Sequence, residues 1–185
     1  MTDQISEALK PFFHEADLRR GIELLYFGYS HLTRTADARL MGQGLGRAHH
    51  RALYFTARQP DMPVGDLLRL LNITKQSLNR VLGDMIKRDL IEMIVGRTDR
   101  RQRLLRLTGA GAALESALFD DLRTAMERGY QAAGPDAIAA FWQVLEHLVP
   151  EDERAPIIAL HTNAISPSTR ASLRSKTGGI RGEAV

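Results

Sequence analysis

A chain of 185 residues, 44% hydrophobic and 25% charged with a net charge of +3, has the size of one domain, or of one domain with a dimerisation extension. It contains no cysteine, which excludes a disulfide framework, a cysteine zinc site, a thiol nucleophile and a thiol redox sensor. The sequence shows no signal-peptide pattern and no run of about 18 apolar residues, so no membrane association is expected and the expected location is the cytoplasm.

Residues 1–14 read as an N-terminal arm. Leu18, Ile22, Leu25, Tyr29 and Leu32 then recur at three- and four-residue intervals, predicting a long amphipathic helix from about Glu15 to Arg39. The stretch Met41-Gly42-Gln43-Gly44-Leu45-Gly46 breaks it. Its G-x-G-x-G pattern follows a helix rather than a strand and lacks the lysine of a phosphate-binding loop, which argues against a nucleotide site. A second helix fits Leu45 to Arg58 and ends before Gln59-Pro60-Asp61-Met62-Pro63, where two prolines enforce a turn.

Adjacent histidines sit on that second helix. They point in different directions, and Ala52, Leu53 and Tyr54 supply no metal ligand one turn on, so no metal site is expected. His49 shares the apolar stripe of Leu45, Ala52 and Phe55. It reads first as a hydrogen-bonded core histidine, and next as the lining of a pocket for a small-molecule effector.

Val64, Leu67, Leu68 and Leu71 form the stripe of a short helix that Pro63 starts and Asn72 stops. Thr74 is the predicted N-cap of the next helix, whose buried stripe is Leu78, Val81, Leu82, Met85 and Ile86. Two short helices joined by a tight turn resemble a helix-turn-helix. The exposed side of the second carries Lys75, Gln76, Ser77, Asn79 and Arg80. Gln and Asn pair bidentately with adenine, Arg and Lys bind guanine or phosphate, and all five lie in the two turns that would enter a major groove. An ordinary polar helix face is the competing explanation.

Leu90 to Val95 reads as a strand, Gly96 to Arg101 as a turn and Gln102 to Leu107 as the returning strand. The hairpin tip is basic. Residues 74–108 hold nine Lys/Arg against four Asp/Glu, whereas 109–160 hold three against nine. A compact basic block between neutral and acidic segments is what a phosphate-binding face requires. Arginines at a hairpin tip suit a narrow minor groove. The alternative is charge that merely blocks edge pairing.

The run Asp99-Arg100-Arg101-Gln102-Arg103-Leu104-Leu105-Arg106-Leu107-Thr108-Gly109-Ala110-Gly111 resembles the wing signature of the MarR (multiple antibiotic resistance regulator) family, D-x-R followed by L-T-x-x-G. The segments Ala48–Phe55 and Ile73–Leu78 resemble its PetP branch. The resemblance covers about residues 15–150. It implies a mainly α fold with a small β-hairpin, a winged helix-turn-helix between N- and C-terminal helices that intertwine two subunits. It further implies a homodimer that binds a palindrome in double-stranded DNA. Carried over by position, Thr74, Lys75, Gln76, Ser77, Asn79 and Arg80 form the DNA-facing part of the recognition helix. Asp99 braces the wing, Arg101 enters the minor groove, and Arg97, Arg100 and Arg103 are phosphate candidates.

Beyond the wing, Leu114, Leu118, Leu122, Met126 and Tyr130 repeat every four residues. After Gly134-Pro135 a second stripe runs through Ile138, Phe141, Trp142, Leu145, Leu148 and Val149. The preceding hairpin offers little apolar surface, so a partner subunit is the expected recipient of the Trp142 side. Residues 15–160 thus read as one winged helix-turn-helix domain, with a DNA-binding core at about 62–108 and dimerisation helices at 15–40 and 110–150. Residues 161–185 read as a flexible basic tail. No G-x-S-x-G, H-E-x-x-H or paired-carboxylate motif is present, so no catalytic residues, metal or cofactor are expected. The expected function is sequence-specific transcription regulation. The alternatives are a winged-helix RNA-binding or architectural protein without operator preference, and a small-molecule enzyme.

Overall fold

The structure, a computed structural model, describes residues 14–96 and 99–164. Arg97, most of the N-terminal arm and residues 165–185 of the tail lie outside the described residues.

Helix α1 spans Glu15–Met41. It is closed by Gly44, which takes a left-handed φ of 67°, while Leu45 N–H donates to the Leu40 carbonyl at 2.9 Å. Gly46 then serves as the extended N-cap of helix α2, Arg47–Arg58. The G-x-G-x-G stretch is therefore a helix stop followed by a helix start, and α2 begins two residues later than the periodicity predicts.

Met62–Pro63 forms a two-residue strand, β1, that was not expected; only a turn was read at those prolines. Helices α3 (Val64–Leu71) and α4 (Lys75–Lys87) follow. Asn72 stops α3 in the left-handed region, and the Thr74 hydroxyl caps α4 by accepting the Ser77 N–H at 3.2 Å. Leu78, Val81, Leu82 and Met85 are buried as predicted. Ile86 is not: it is 42% exposed, because it lies at the rim of that stripe.

Strands β2 (Ile91–Val95) and β3 (Arg103–Leu107) pair antiparallel, with Ile91 opposite Leu107 and Val95 opposite Arg103. β1 adds to the far edge of β3, giving the order β1-β3-β2. A proline is tolerated there because an edge strand leaves one side unpaired. Arg106 on β3 grips Asp61 with two hydrogen bonds, 3.0 and 2.8 Å, which pins β1 in place.

Helices α5 (Gly109–Ala133), α6 (Pro135–Leu148) and α7 (Glu151–Ala164) complete the described chain. α7 was not foreseen, and it carries the helix past His161, where the tail was expected to start. One core gathers Leu40, Leu53, Leu67, Leu71, Leu78, Met85, Ile91, Leu105 and Leu118. α2 sits at its centre, in contact with α1, α3, α4, α5, α7 and β3. With neighbours from so many elements, α2 buries His50 as well as Ala52, Leu53 and Thr56. His50, not His49, is thus the core histidine. Burial pushes its pKa down, against the opposing pull of Asp37 and Asp121.

The junction of hairpin and α5 is tight. Thr108 N–H donates to the Leu90 carbonyl at 3.2 Å, and the Thr108 hydroxyl accepts Gly111 N–H at 3.0 Å. A Cβ on Gly111 would stand 1.9 Å from the Leu90 carbonyl oxygen, a contact that only backbone movement relieves. Gly109 has nothing within 4 Å of its own Cβ position. Gly111→Ala is expected to destabilise by about 3 kcal/mol, lowering the thermal midpoint by roughly 6–12 °C, while Gly109→Ala stays neutral or slightly stabilising. Calorimetry of the two variants checks the pair, and equal midpoints would disprove the close approach.

Candidate nucleic-acid interface

Three devices set the orientation of α4. Its buried stripe seats it on the core, its Thr74 cap fixes where its first turn starts, and a left-handed Asp89 (φ 56°) ends it. At that end Leu90 N–H donates to the Met85 carbonyl at 2.9 Å, which turns the chain directly into β2. Thr74, Lys75, Gln76, Ser77, Asn79 and Arg80 are all exposed. Among them Thr74 is committed to its own helix, since its hydroxyl also donates to the Ser77 hydroxyl at 2.9 Å. Lys75, Gln76, Asn79 and Arg80 have no side-chain hydrogen bond within the described residues, so their polar ends face solvent.

At the hairpin tip Asp99 acts on the backbone. Its carboxylate accepts Arg101 N–H at 2.8 Å, its carbonyl accepts Gln102 N–H at 3.1 Å, and Gly96 N–H donates to the Gln102 carbonyl at 3.1 Å. Gly96 fits closely, since a Cβ would stand 2.6 Å from the Asp99 carbonyl oxygen. Arg103 leans back to the Arg100 carbonyl at 3.3 Å. The exposed Arg100 and Arg101 side chains make no hydrogen bond or ion pair among the described residues. α4 packs against β2, so this helix and the hairpin belong to one packed unit.

His49 occupies a different place from the one its periodicity predicts. It is half-buried, with Nδ1 accepting Gly46 N–H at 3.1 Å and Nε2 lying 3.2 Å from an Asp84 carboxylate oxygen. It lines a cleft of about 720 Å³ together with Gly44, Ser77, Asn79, Arg80 and Lys87. Both ring nitrogens are engaged, which leaves the ring carbons for any small molecule in the cleft. Sequence reasoning passed over Asp84, Lys87 and Arg88 as site residues. The signal was the four-residue spacing of Arg80, Asp84 and Arg88 along the helix. Among the described residues no group of three or more His, Asp or Glu side chains is placed to hold a metal, and no helix is long and apolar enough to cross a membrane.

The sequence profile of the MarR family matches residues 43–102, the span that holds the cleft, both short helices and most of the hairpin. The HTH-type transcriptional regulator PetP of Rhodobacter capsulatus is 46% identical over 138 residues, covering 75% of this chain and 83% of that protein. Among solved structures, a MarR-family transcriptional regulator from Silicibacter pomeroyi superposes with a TM-score of 0.59 at 23% identity, over 68% of this chain and 84% of that one. Streptococcus pneumoniae FabT in complex with DNA superposes with a TM-score of 0.63 at 18% identity, over 71% and 94%. A mutant MarR from E. coli complexed with operator DNA gives 0.56 at 18%, over 69% and 92%. At these identities the structural likeness is one of fold.

The cap on α4 is testable by itself. Thr74→Ala is expected to cost about 1 kcal/mol, whereas Thr74→Ser, which keeps the accepting oxygen, should stay within a few tenths of wild type. Urea denaturation measures both, and equal losses in the two variants would mean that the hydroxyl is not the cap.

Proposed function

The chain belongs to the MarR family and is a transcription regulator, not an enzyme; from that premise we propose that it acts in the cytoplasm as a homodimer that reads a palindromic operator in double-stranded DNA. The observation that carries this reading is the solvent-facing set Lys75, Gln76, Asn79 and Arg80 on a helix whose other side is anchored in the core. Such a helix places amide and guanidinium groups at major-groove depth, where all four base pairs differ in donor and acceptor pattern. The Asp99-braced tip carries Arg101 toward the adjacent minor groove, whose potential is most negative where A·T runs narrow it. Arg97, in the same turn of sequence, Arg100 and Arg103 serve the flanking phosphates. A small molecule lodged beside His49 would compete with DNA for Ser77, Asn79 and Arg80, which gives an effector a direct route to release.

The dimer is supported by what the chain leaves uncovered. Leu18, Ile22, Leu25 and Tyr29 on α1, and Phe141, Trp142 and Leu148 on α6, are all 42–63% exposed. Among the described residues, α1 buries itself within the chain through its C-terminal part, at Thr33, Ala36 and Leu40. Apolar surface on this scale calls for a partner, and a second copy supplies two half-sites with the symmetry of a palindrome.

Selection from a random duplex library tests the DNA reading. Enrichment of a palindrome is the expected outcome; binding without a consensus would replace the operator reading by an architectural or RNA-binding one. Gln76→Ala or Asn79→Ala should cost roughly 1–3 kcal/mol on the selected duplex and relax particular positions. Arg101→Ala should weaken binding and erase only an A·T bias at the flanks.

For assembly, Ile22→Glu with Leu25→Glu places two charges in the exposed α1 stripe. Sedimentation should show monomers that retain helical circular dichroism. A dimer of undiminished stability would move the interface away from α1.

A further inference from the structure

Asp84 is out of place on a DNA-reading helix. It sits four residues beyond Arg80, it lines the same cleft as Ser77 and Arg80, and a carboxylate near phosphates is repelled by them. Its surroundings show what it does instead. Arg88, one turn further on α4, donates to it through Nε at 3.0 Å. His49 on α2 approaches its other oxygen at 3.2 Å. Because His49 Nδ1 accepts the Gly46 N–H, that nitrogen carries no proton in the neutral ring. The proton therefore resides on Nε2, and Nε2–H donates to Asp84. Arg88 extends the chain of bonds, donating through Nη1 to the Gln43 carbonyl at 2.8 Å. Gly44, in its left-handed conformation, lets the turn pass that guanidinium: even a Cβ there would lie 3.6 Å from Arg88 Nη2. The Arg88 bond holds the Asp84 carboxyl below the usual carboxylate range, with His49 adding to the effect.

We infer that Asp84 is a positioning residue that, through His49 and Arg88, fixes the rotation of α4 against α2 and the α1–α2 turn and so aims Gln76, Asn79 and Arg80 at the bases. The inference rests on the DNA reading above. The apolar stripe of α4 tolerates some roll, since side chains slide over one another at small cost, whereas the two directional bonds that leave its end, His49 to Asp84 and Arg88 to the Gln43 carbonyl, do not, and the Arg88–Asp84 bond within the helix holds both side chains in place for them. These bonds tie the reading helix to the connection that begins at the end of α1, so the reading helix is referenced to the helix that carries the exposed dimer stripe. Their partners are part-exposed, so they add little to global stability. Their effect is on direction.

The opposing explanation, that Asp84 acts only as a negative charge near DNA, predicts the opposite sign. Relieving repulsion should tighten binding to every duplex, whereas losing the aim should weaken binding to the preferred duplex relative to others. The experiment compares the full-length protein with Asp84→Asn, Arg88→Gln and the double variant, each on the selected duplex and on a scrambled duplex of equal length. The ratio of the two affinities cancels the change in net charge. Asp84→Asn should lower that ratio by roughly three- to thirtyfold. Arg88→Gln should lower it in the same direction, and the double variant should be no worse than the worse single, as members of one network behave. An unchanged or raised ratio in the two single variants overturns the inference, and Arg88→Gln decides it if Asp84→Asn fails to fold. Imidazole 15N shifts of His49 in the DNA-free protein give a second readout: a proton on Nε2 is expected, and a proton on Nδ1 would overturn the relay whatever the DNA result. If the unmodified protein itself shows no preference between the duplexes, the DNA reading has failed and the inference with it.

Discussion

The approach of α5 to the Leu90 carbonyl is the constraint on which the geometry of the rest depends. Three parts of the chain meet there: the end of α4 at Asp89, the root of the hairpin at Ile91 and Leu107, and the first turn of the long helix. Gly111 permits backbone-to-backbone contact, and Thr108 ties the same turn to Leu90 and Asp89. The leverage is large. α5 has 25 residues, so at 1.5 Å per residue it is about 37 Å long, and a tilt of about 10° at its root would move its far end by about 6 Å. That far end carries α6 and its exposed apolar side chains. A glycine at position 111 thus sets where a partner subunit would sit relative to α4.

Polar pairs add direction to what apolar burial holds together. Arg39 on α1 grips Asp121 on α5 through two bonds, 2.8 and 3.1 Å. Arg47 at the start of α2 holds Asp37 on α1 at 2.8 Å, which keeps that carboxyl below its ordinary range, and its guanidinium lies 5.6 Å from the Tyr29 ring. Exposed pairs of this kind add little to stability. They matter because each joins two elements whose relative angle an apolar contact leaves loose. The same logic applies to Asp61 and Arg106, which add direction to a two-residue strand that the buried Met62 side chain already anchors in the core.

Periodic elements were legible in the sequence because burial on one face leaves a count that survives without coordinates. The α4 stripe, the Thr74 cap, the Asn72 stop and the β2–β3 hairpin all follow from such local rules. Elements without a period escaped. Met62-Pro63 has no alternation to detect, and its pairing with Leu105 and Leu104 depends on a strand more than 40 residues away. His49 was placed in the core by assuming a narrow buried stripe, but the arc of α2 that packing covers is wide enough to bring His50 inside. Ile86 marks the converse error, an apolar residue counted into a stripe that ends one position earlier. For the interface, residue types and exposure were readable from spacing, while the Asp84–His49–Arg88 relay was not, because it joins side chains on two helices and a turn that only folding brings together.

Net charge conceals how the chain would approach DNA. The +3 total averages a basic block at 74–108 against an acidic excess at 109–160, and the fold keeps these apart by giving the first to the helix-turn-helix and hairpin and most of the second to α5, α6 and α7. At physiological salt the Debye length is about 8 Å, far shorter than α5. Phosphates close to α4 and the hairpin would therefore meet the basic block nearly unopposed by acids toward the far end of that helix. Acidic helices elsewhere would discourage approach in the wrong orientation, so the segregation would favour encounters that present α4 first. Directional bonds such as those at Asp84 then have a defined task, because a charge that brings the helix to the groove cannot by itself choose which of its side chains faces the bases.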